Sequence, residues 1–207
     1  MAPSFFTGIV LAMETGKTKL QALQALPVMK RLDALEVALC QPANDLARRP
    51  VVRGVFAVVS RLGDGLIWYV LMVAFPLAFG LAGLALTAQM ALGGLLGLVT
   101  YKRLKQHLIR ERPFASHPSI HCAVAPLDRY SFPSGHTLHA VLFGALILAA
   151  FPGLYPVLLP FVAMIALSRV ILGLHYPSDV VVGALIGLAI AELTRSVLPL
   201  TAFAPAA

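Results

Sequence analysis

Hydrophobic positions along the chain follow two regimes. From Leu20 to Cys40, Leu20, Leu23, Leu26, Leu32, Leu35 and Leu39 recur at helical spacing, with Lys30, Arg31, Asp33 and Glu36 between them. That pattern predicts an amphipathic helix lying in a membrane interface, broken at Pro27. Farther along, the apolar runs have no polar face, and they predict membrane spans over residues 66–84, 87–101, 137–151, 155–172 and 180–198. A short turn near Ala85 has to reverse the chain between the first two spans, and Pro152-Gly153-Leu154 does so between the third and fourth. Trp68 and Tyr69 suit an interfacial aromatic belt. The apolar run 4–13 is too short to span and lacks the basic region and cleavage site of a signal peptide. Residues 41–54, with Arg48, Arg49 and Arg53, read as a polar connector. The expected fold is all-α: a polytopic membrane helical bundle of about five spans plus an N-terminal interfacial amphipathic helix. It divides into an interfacial segment (1–54), a membrane-embedded domain (55–198) and a tail (199–207).

Composition narrows the class further. Of 207 residues, 59% are hydrophobic and only 12% charged, about half the charged share of a soluble domain. The net charge of +7 reports first on topology and anionic head groups, and no basic-aromatic motif suggests nucleic acid. Cys40 and Cys122 form neither a CxxC nor a zinc pattern, so no disulfide, metal site or cofactor is expected. Gly183 and Gly187 form a GxxxG on the last span, read as a close helix–helix contact.

Threading the spans as hairpins brings residues 102–133, Ser134–His136, Arg169–His175 and Asp179 to one membrane face. Every Lys and Arg except Arg195 lies toward that face.

Three constellations there carry chemistry. Lys105 and Arg112 stand seven apart, close to two helical turns, so both can point one way. Arg112 can fork two oxygens of a phosphate while Lys105 adds a point charge. Phe132-Pro133-Ser134-Gly135-His136 opens the third span, where backbone N–H groups attract anions and glycine permits close approach. In Ser168-Arg169…Gly173…His175…Asp179, the glycine offers a break that lets the chain fold back. Asp179, four residues after His175, can orient its imidazole. Each piece alone has a plain structural reading: a topology signal, a helix cap, a buried His–Asp pair. Together they describe a site for a phosphate dianion. His175, with an acidic partner, suits attack on phosphorus. His136, without one in the sequence pattern, suits protonating the leaving oxygen and then activating water. Lys105, Arg112 and Arg169 would stabilise the equatorial oxygens, so no metal is called for.

The pattern K-x6-RP, PSGH, SR-x5-H-x3-D is matched by Lys105…Arg112-Pro113, Pro133–His136 and Ser168-Arg169…His175…Asp179. It resembles the type-2 phosphatidic acid phosphatase (lipid phosphate phosphatase) family, which shares its site with vanadium haloperoxidases, over residues 60 to 198. The resemblance implies a metal-independent phosphomonoesterase or pyrophosphatase acting on a phosphorylated membrane lipid, with Ser134 and the Gly135 backbone joining the phosphate pocket. Candidate substrates are undecaprenyl pyrophosphate, phosphatidic acid and phosphatidylglycerol phosphate, in a bacterial inner membrane, with no obligate protein partner. A lipid phosphotransferase using the same phosphohistidine is the alternative enzyme; an inert lipid-binding protein is the non-enzyme one. Many family members resemble a six-span arrangement with the site facing the periplasm or lumen, whereas the one-sided cations here point to the cytoplasm; sidedness is left between the two.

Overall fold

A computed structural model describes residues 27–199. Its helices are α1 (Pro27–Leu46), α2 (Pro50–Leu62), α3 (Leu66–His107), α4 (Pro113–Ser116), α5 (Gly135–Ala150), α6 (Tyr155–Ile171) and α7 (Pro177–Val197), with a 3-10 turn at Pro152–Leu154. No strand occurs among the described residues. The chain forms two compact units, residues 1–38 and 39–207. The expected apolar run 4–13, the first residues of the expected amphipathic helix and most of the tail lie outside the described residues.

Two local expectations change. Residues 41–54 are mostly helical: α1 continues through Pro42 to Leu46, and α2 opens with Pro50 in its first turn, where a missing N–H costs nothing. The reversal between the first two apolar runs falls at Gly80, not near Ala85. Gly80 has φ 57° and ψ −130°, a left-handed conformation that glycine adopts without a Cβ clash. On either side of it the arms of α3, residues 66–79 and 81–107, fold against each other. The Thr87 hydroxyl donates to the Met72 carbonyl at 2.8 Å, a contact that 15 residues of straight helix would place far apart. Ala85 is instead buried in the second arm.

Helix α5 is the hub. Leu138, Leu142 and Leu146 on it are fully buried against Trp68, Leu86 and Met90 of α3 and Ile165 of α6. The GxxxG of α7 packs on α5 as expected: a Cβ on Gly183 would lie 2.6 Å from the Ser134 carbonyl oxygen, and one on Gly187 2.5 Å from that of Leu138. Only glycine allows this approach, the usual source of tight helix pairs in lipid. Trp68 sits inside the bundle, 1% exposed, its ring 5.3 Å from Phe143 and 6.2 Å from Phe161. It is a core residue and not part of an interfacial belt; Tyr69 is the exposed member of the pair.

Among the described residues, three segments are long and apolar enough to cross a membrane: α3, Pro152–Ile171 and α7; α5 is apolar but shorter. Their outer faces carry exposed Val73, Leu77, Leu81, Val157, Val181 and Leu185, a continuous apolar surface that water would not tolerate at this scale and lipid would.

Candidate active site

The turn joining α6 to α7 solves the spacing problem posed by Arg169 and His175. Gly173 has φ 76°, and a Cβ there would meet the His121 carbonyl oxygen at 2.4 Å. The chain therefore folds back sharply, and the backbone N–H of His175 donates to the Arg169 carbonyl at 3.0 Å. Asn44, at the end of α1, locks this turn from outside. Its amide donates to the carbonyls of His121 (2.9 Å) and Ile171 (3.0 Å) and accepts from the His121 N–H at 2.8 Å.

His175 is 1% exposed. Its Nδ1 lies 3.6 Å from Asp179 Oδ2, one turn into α7, just beyond hydrogen-bonding reach. Asp179 is held elsewhere: Arg110 donates to Oδ1 at 2.7 Å, and the Tyr176 N–H donates to Oδ2 at 2.9 Å. The same Arg110 nitrogen donates to Ser178 Oγ, and its guanidinium lies over the Tyr176 ring at 3.9 Å. Arg112 Nη1 is 3.3 Å from His175 Nε2. A guanidinium can only donate, so Nε2 carries the lone pair and Nδ1 the proton facing Asp179. Burial, followed by the charges of Arg169, Arg112 and Lys105, holds the imidazole pKa well below 6.5. The ring is neutral, with its Nε2 lone pair facing Arg112.

Those cations converge as expected. Arg112 is fixed by the Leu174 carbonyl (2.7 Å) and the Asp128 carbonyl (3.0 Å). Lys105 Nζ and Arg112 Nη2 both donate to the Asp128 carboxylate, at 2.6–2.7 Å. Burial works to raise the pKa of that carboxyl, but its bonds to Lys105 and Arg112 prevail and lower it. Arg169 is 3% exposed; its Nη1 donates to the Ser60 hydroxyl on α2, and its Nε has no partner.

At the start of α5 the picture divides. The Ser134 side chain is fully buried, where it accepts from the Thr137 N–H and pairs with the Thr137 hydroxyl at 2.9 Å. It caps the helix and is not among the residues lining the cavity. Gly135 and His136 do line it. His136 is not unpartnered: its Nε2 bonds directly to Asp64 Oδ1 in the α2–α3 turn. Burial opposes ionisation of Asp64, but the His136 bond and the charges of Arg169 and Arg61 leave its pKa lowered.

A cavity of about 620 Å³ joins these groups. Lys105, Arg112, Arg169, His136 and His175 form its polar end. Asp64, Asp128 and Lys102 also line the cavity, and its apolar lining includes Met72 and Met90 on the two arms of α3 and Phe143 on α5. Among the described residues no group of three or more His, Cys, Asp or Glu is placed to hold a metal. Sequence reasoning missed Asp64, Ser60, Asn44, Arg110 and Asp128. Arg110 and Asp128 had one faint signal, being charged residues beside the motifs; the other three had none.

The PAP2 superfamily profile matches residues 78–201, more than half of the chain. The chain belongs to the PAP2 superfamily. A decaprenylphosphoryl-5-phosphoribose phosphatase of Mycobacterium tuberculosis is 38% identical over 94 residues, 45% of this chain and 51% of that protein. The Mycolicibacterium smegmatis protein of the same name is 46% identical over 81 residues, 39% of this chain and 42% of that one. The chain thus spans about half the length, or less, of the relatives it matches in sequence. Among solved structures, Aquifex aeolicus LpxE superimposes with a TM-score of 0.70 at 26% identity, covering 78% of this chain and 95% of that one. A transmembrane PAP2-type phosphatidylglycerolphosphate phosphatase from Bacillus subtilis shares the fold, with a TM-score of 0.60 at 22% identity over 90% and 94% of the two chains. With its apolar helices, this PAP2 protein is an integral membrane protein.

Proposed function

We propose that this PAP2 protein is a metal-independent phosphatase that removes a phosphomonoester or pyrophosphate group from a membrane lipid through a phosphohistidine on His175. The observation that carries the reading is the cavity's two-part character. A cationic end holding a neutral, buried histidine opens into an apolar slot between helices, which fits a charged head group on a hydrocarbon tail.

In the first step the Nε2 lone pair of His175 attacks phosphorus, and the bond from phosphorus to the lipid oxygen breaks. His136 delivers a proton to that departing oxygen. Arg112, Lys105 and Arg169 stabilise the charge spread over the non-bridging oxygens. Asp179 faces the Nδ1 proton as positive charge builds on the ring. In the second step His136 takes a proton from water as the water oxygen attacks phosphorus. The P–N bond breaks and inorganic phosphate leaves.

The bacterial inner membrane is the proposed location. The substrate panel is undecaprenyl pyrophosphate, phosphatidic acid and phosphatidylglycerol phosphate, joined by a decaprenylphosphoryl-5-phosphoribose because of the mycobacterial relatives. Purified protein in detergent should release phosphate from at least one of them in excess chelator. No release from any, or activity that depends on added Mg²⁺, counts against the proposal.

A further inference from the structure

The α2–α3 turn reaches the cavity from a part of the chain that precedes the profile-matched residues 78–201. It sends two side chains to the site. Ser60 accepts from Arg169, and Asp64, which itself lines the cavity, bonds His136. The surroundings of His136 are otherwise hostile to a charged ring, because burial takes it out of water and Arg169 and Lys105 both repel it. Asp64 is the anion beside it. An ionised carboxylate only accepts hydrogen bonds, so the His136 Nε2 it contacts must carry the proton.

We propose that Asp64 is a positioning residue of the phosphoryl-transfer reaction, orienting His136 through its Nε2–H and stabilising the protonated ring, whose other nitrogen, Nδ1, gives its proton to the departing lipid oxygen. The inference rests on the reading of His136 as proton donor. Asp64 makes no bond to phosphorus and acts through the imidazole, as the acid of a triad acts through its histidine. Losing it leaves a ring that turns freely and, beside Arg169 and Lys105, gives up its proton to water. The first step then fails for an alkoxide, which cannot depart unprotonated, but not for a leaving group that is stable as an anion.

That asymmetry supplies the test. Wild type, Asp64→Asn and Asp64→Glu are assayed in the same detergent on short-chain phosphatidic acid and on p-nitrophenyl phosphate, whose nitrophenolate needs no proton to leave. The expected result is a fall of about 10²-fold for Asp64→Asn on phosphatidic acid. On p-nitrophenyl phosphate it should retain a pre-steady-state burst of nitrophenolate close to the wild-type rate. Asp64→Glu, which keeps the carboxylate, should recover part of the lost lipid turnover. Equal effects on the two substrates, whether no loss on either or loss of turnover and burst together, overturn the proposal; the second is what a purely structural role would give. Wild type inactive on both substrates would instead refute the phosphatase reading on which the inference stands.

Discussion

The two histidines of the site have the same side chain and opposite surroundings. His175 is sealed in a loop, its Nε2 against a guanidinium and its nearest carboxylate 3.6 Å off and shared with Arg110. His136 lies at the start of a helix, its side chain 12% exposed and bonded directly to a carboxylate of its own. Cations crowd both rings, and only His136 has an anion in direct contact. The contrast separates the two parts they take in the proposed reaction: the first ring is held neutral, and the second has a carboxylate to steady a proton on it. An acid four residues along the chain looked like the stronger partner in the sequence, yet the closer one comes from 72 residues upstream.

The sharpest way to break the comparison is to delete the ring that forms the bond. His175→Ala should lower turnover by at least about 10⁴-fold and abolish any acid-labile phosphoenzyme, measured by rapid quench with labelled substrate. Residual labelling of the protein would move the nucleophile elsewhere. His136→Ala should cost about 10²- to 10⁴-fold on lipid substrates while letting phosphoenzyme accumulate from p-nitrophenyl phosphate. Asp179→Asn should do less than loss of a directly bonded triad acid, about 10²-fold, because the His175 contact is long and Arg110 shares the carboxylate. A loss as large as that of His175→Ala would show that the dyad closes when substrate binds. Asp128→Asn should tighten vanadate inhibition by about fivefold, the worth of one half-exposed ion pair of about 1 kcal/mol. Unchanged inhibition would mean that this carboxylate does not contest the phosphate position.

The smallest expected effect concerns pH. His175 has its pKa lowered below 6.5, and Asp128 below 3.8. Each group therefore contributes stability that is present above its unfolded value and lost as pH falls through its folded value. Melting temperature in detergent should be insensitive to these groups above pH 6.5 and decline on acidification, less steeply in Asp128→Asn. The acid limb of kcat/KM should likewise lie below pH 6.5.

Three of the site's elements were legible because charge is conspicuous in an apolar chain. Lys105, Arg112, Arg169, His175 and Asp179 stand out at the ends of hydrophobic runs, where ionisable residues are costly unless functional. Their partners were not legible, because pairing across 69 residues for Arg110–Asp179, or 77 for Asn44–His121, leaves no periodic trace in sequence. Ser134 has two readings in sequence: the same hydroxyl that could hold phosphate is also a good helix cap, and the Thr137 N–H donates to it. The hairpin turn was misplaced because the polar Thr87 and Gln89 mark the weakest point of the apolar run 66–101, while the chain breaks at Gly80. Gly80 carried the only local signal, and an isolated glycine in a helical run is a weak one. Buried Trp68 was misplaced because an aromatic near a span end can face head groups or core alike, and packing decides.

The Asp128 carboxylate, lodged between Lys105 and Arg112, means that part of the positive charge of the resting site is already answered. Two nearly buried cations without a counterion would repel each other and weaken the fold. On the proposed function, an arriving head group trades places with an acid already in residence. A monoanion gains little in that exchange, whereas a dianion brings surplus charge. The same acid stands ready to reoccupy the cations as phosphate departs, making the exit of product an exchange as well.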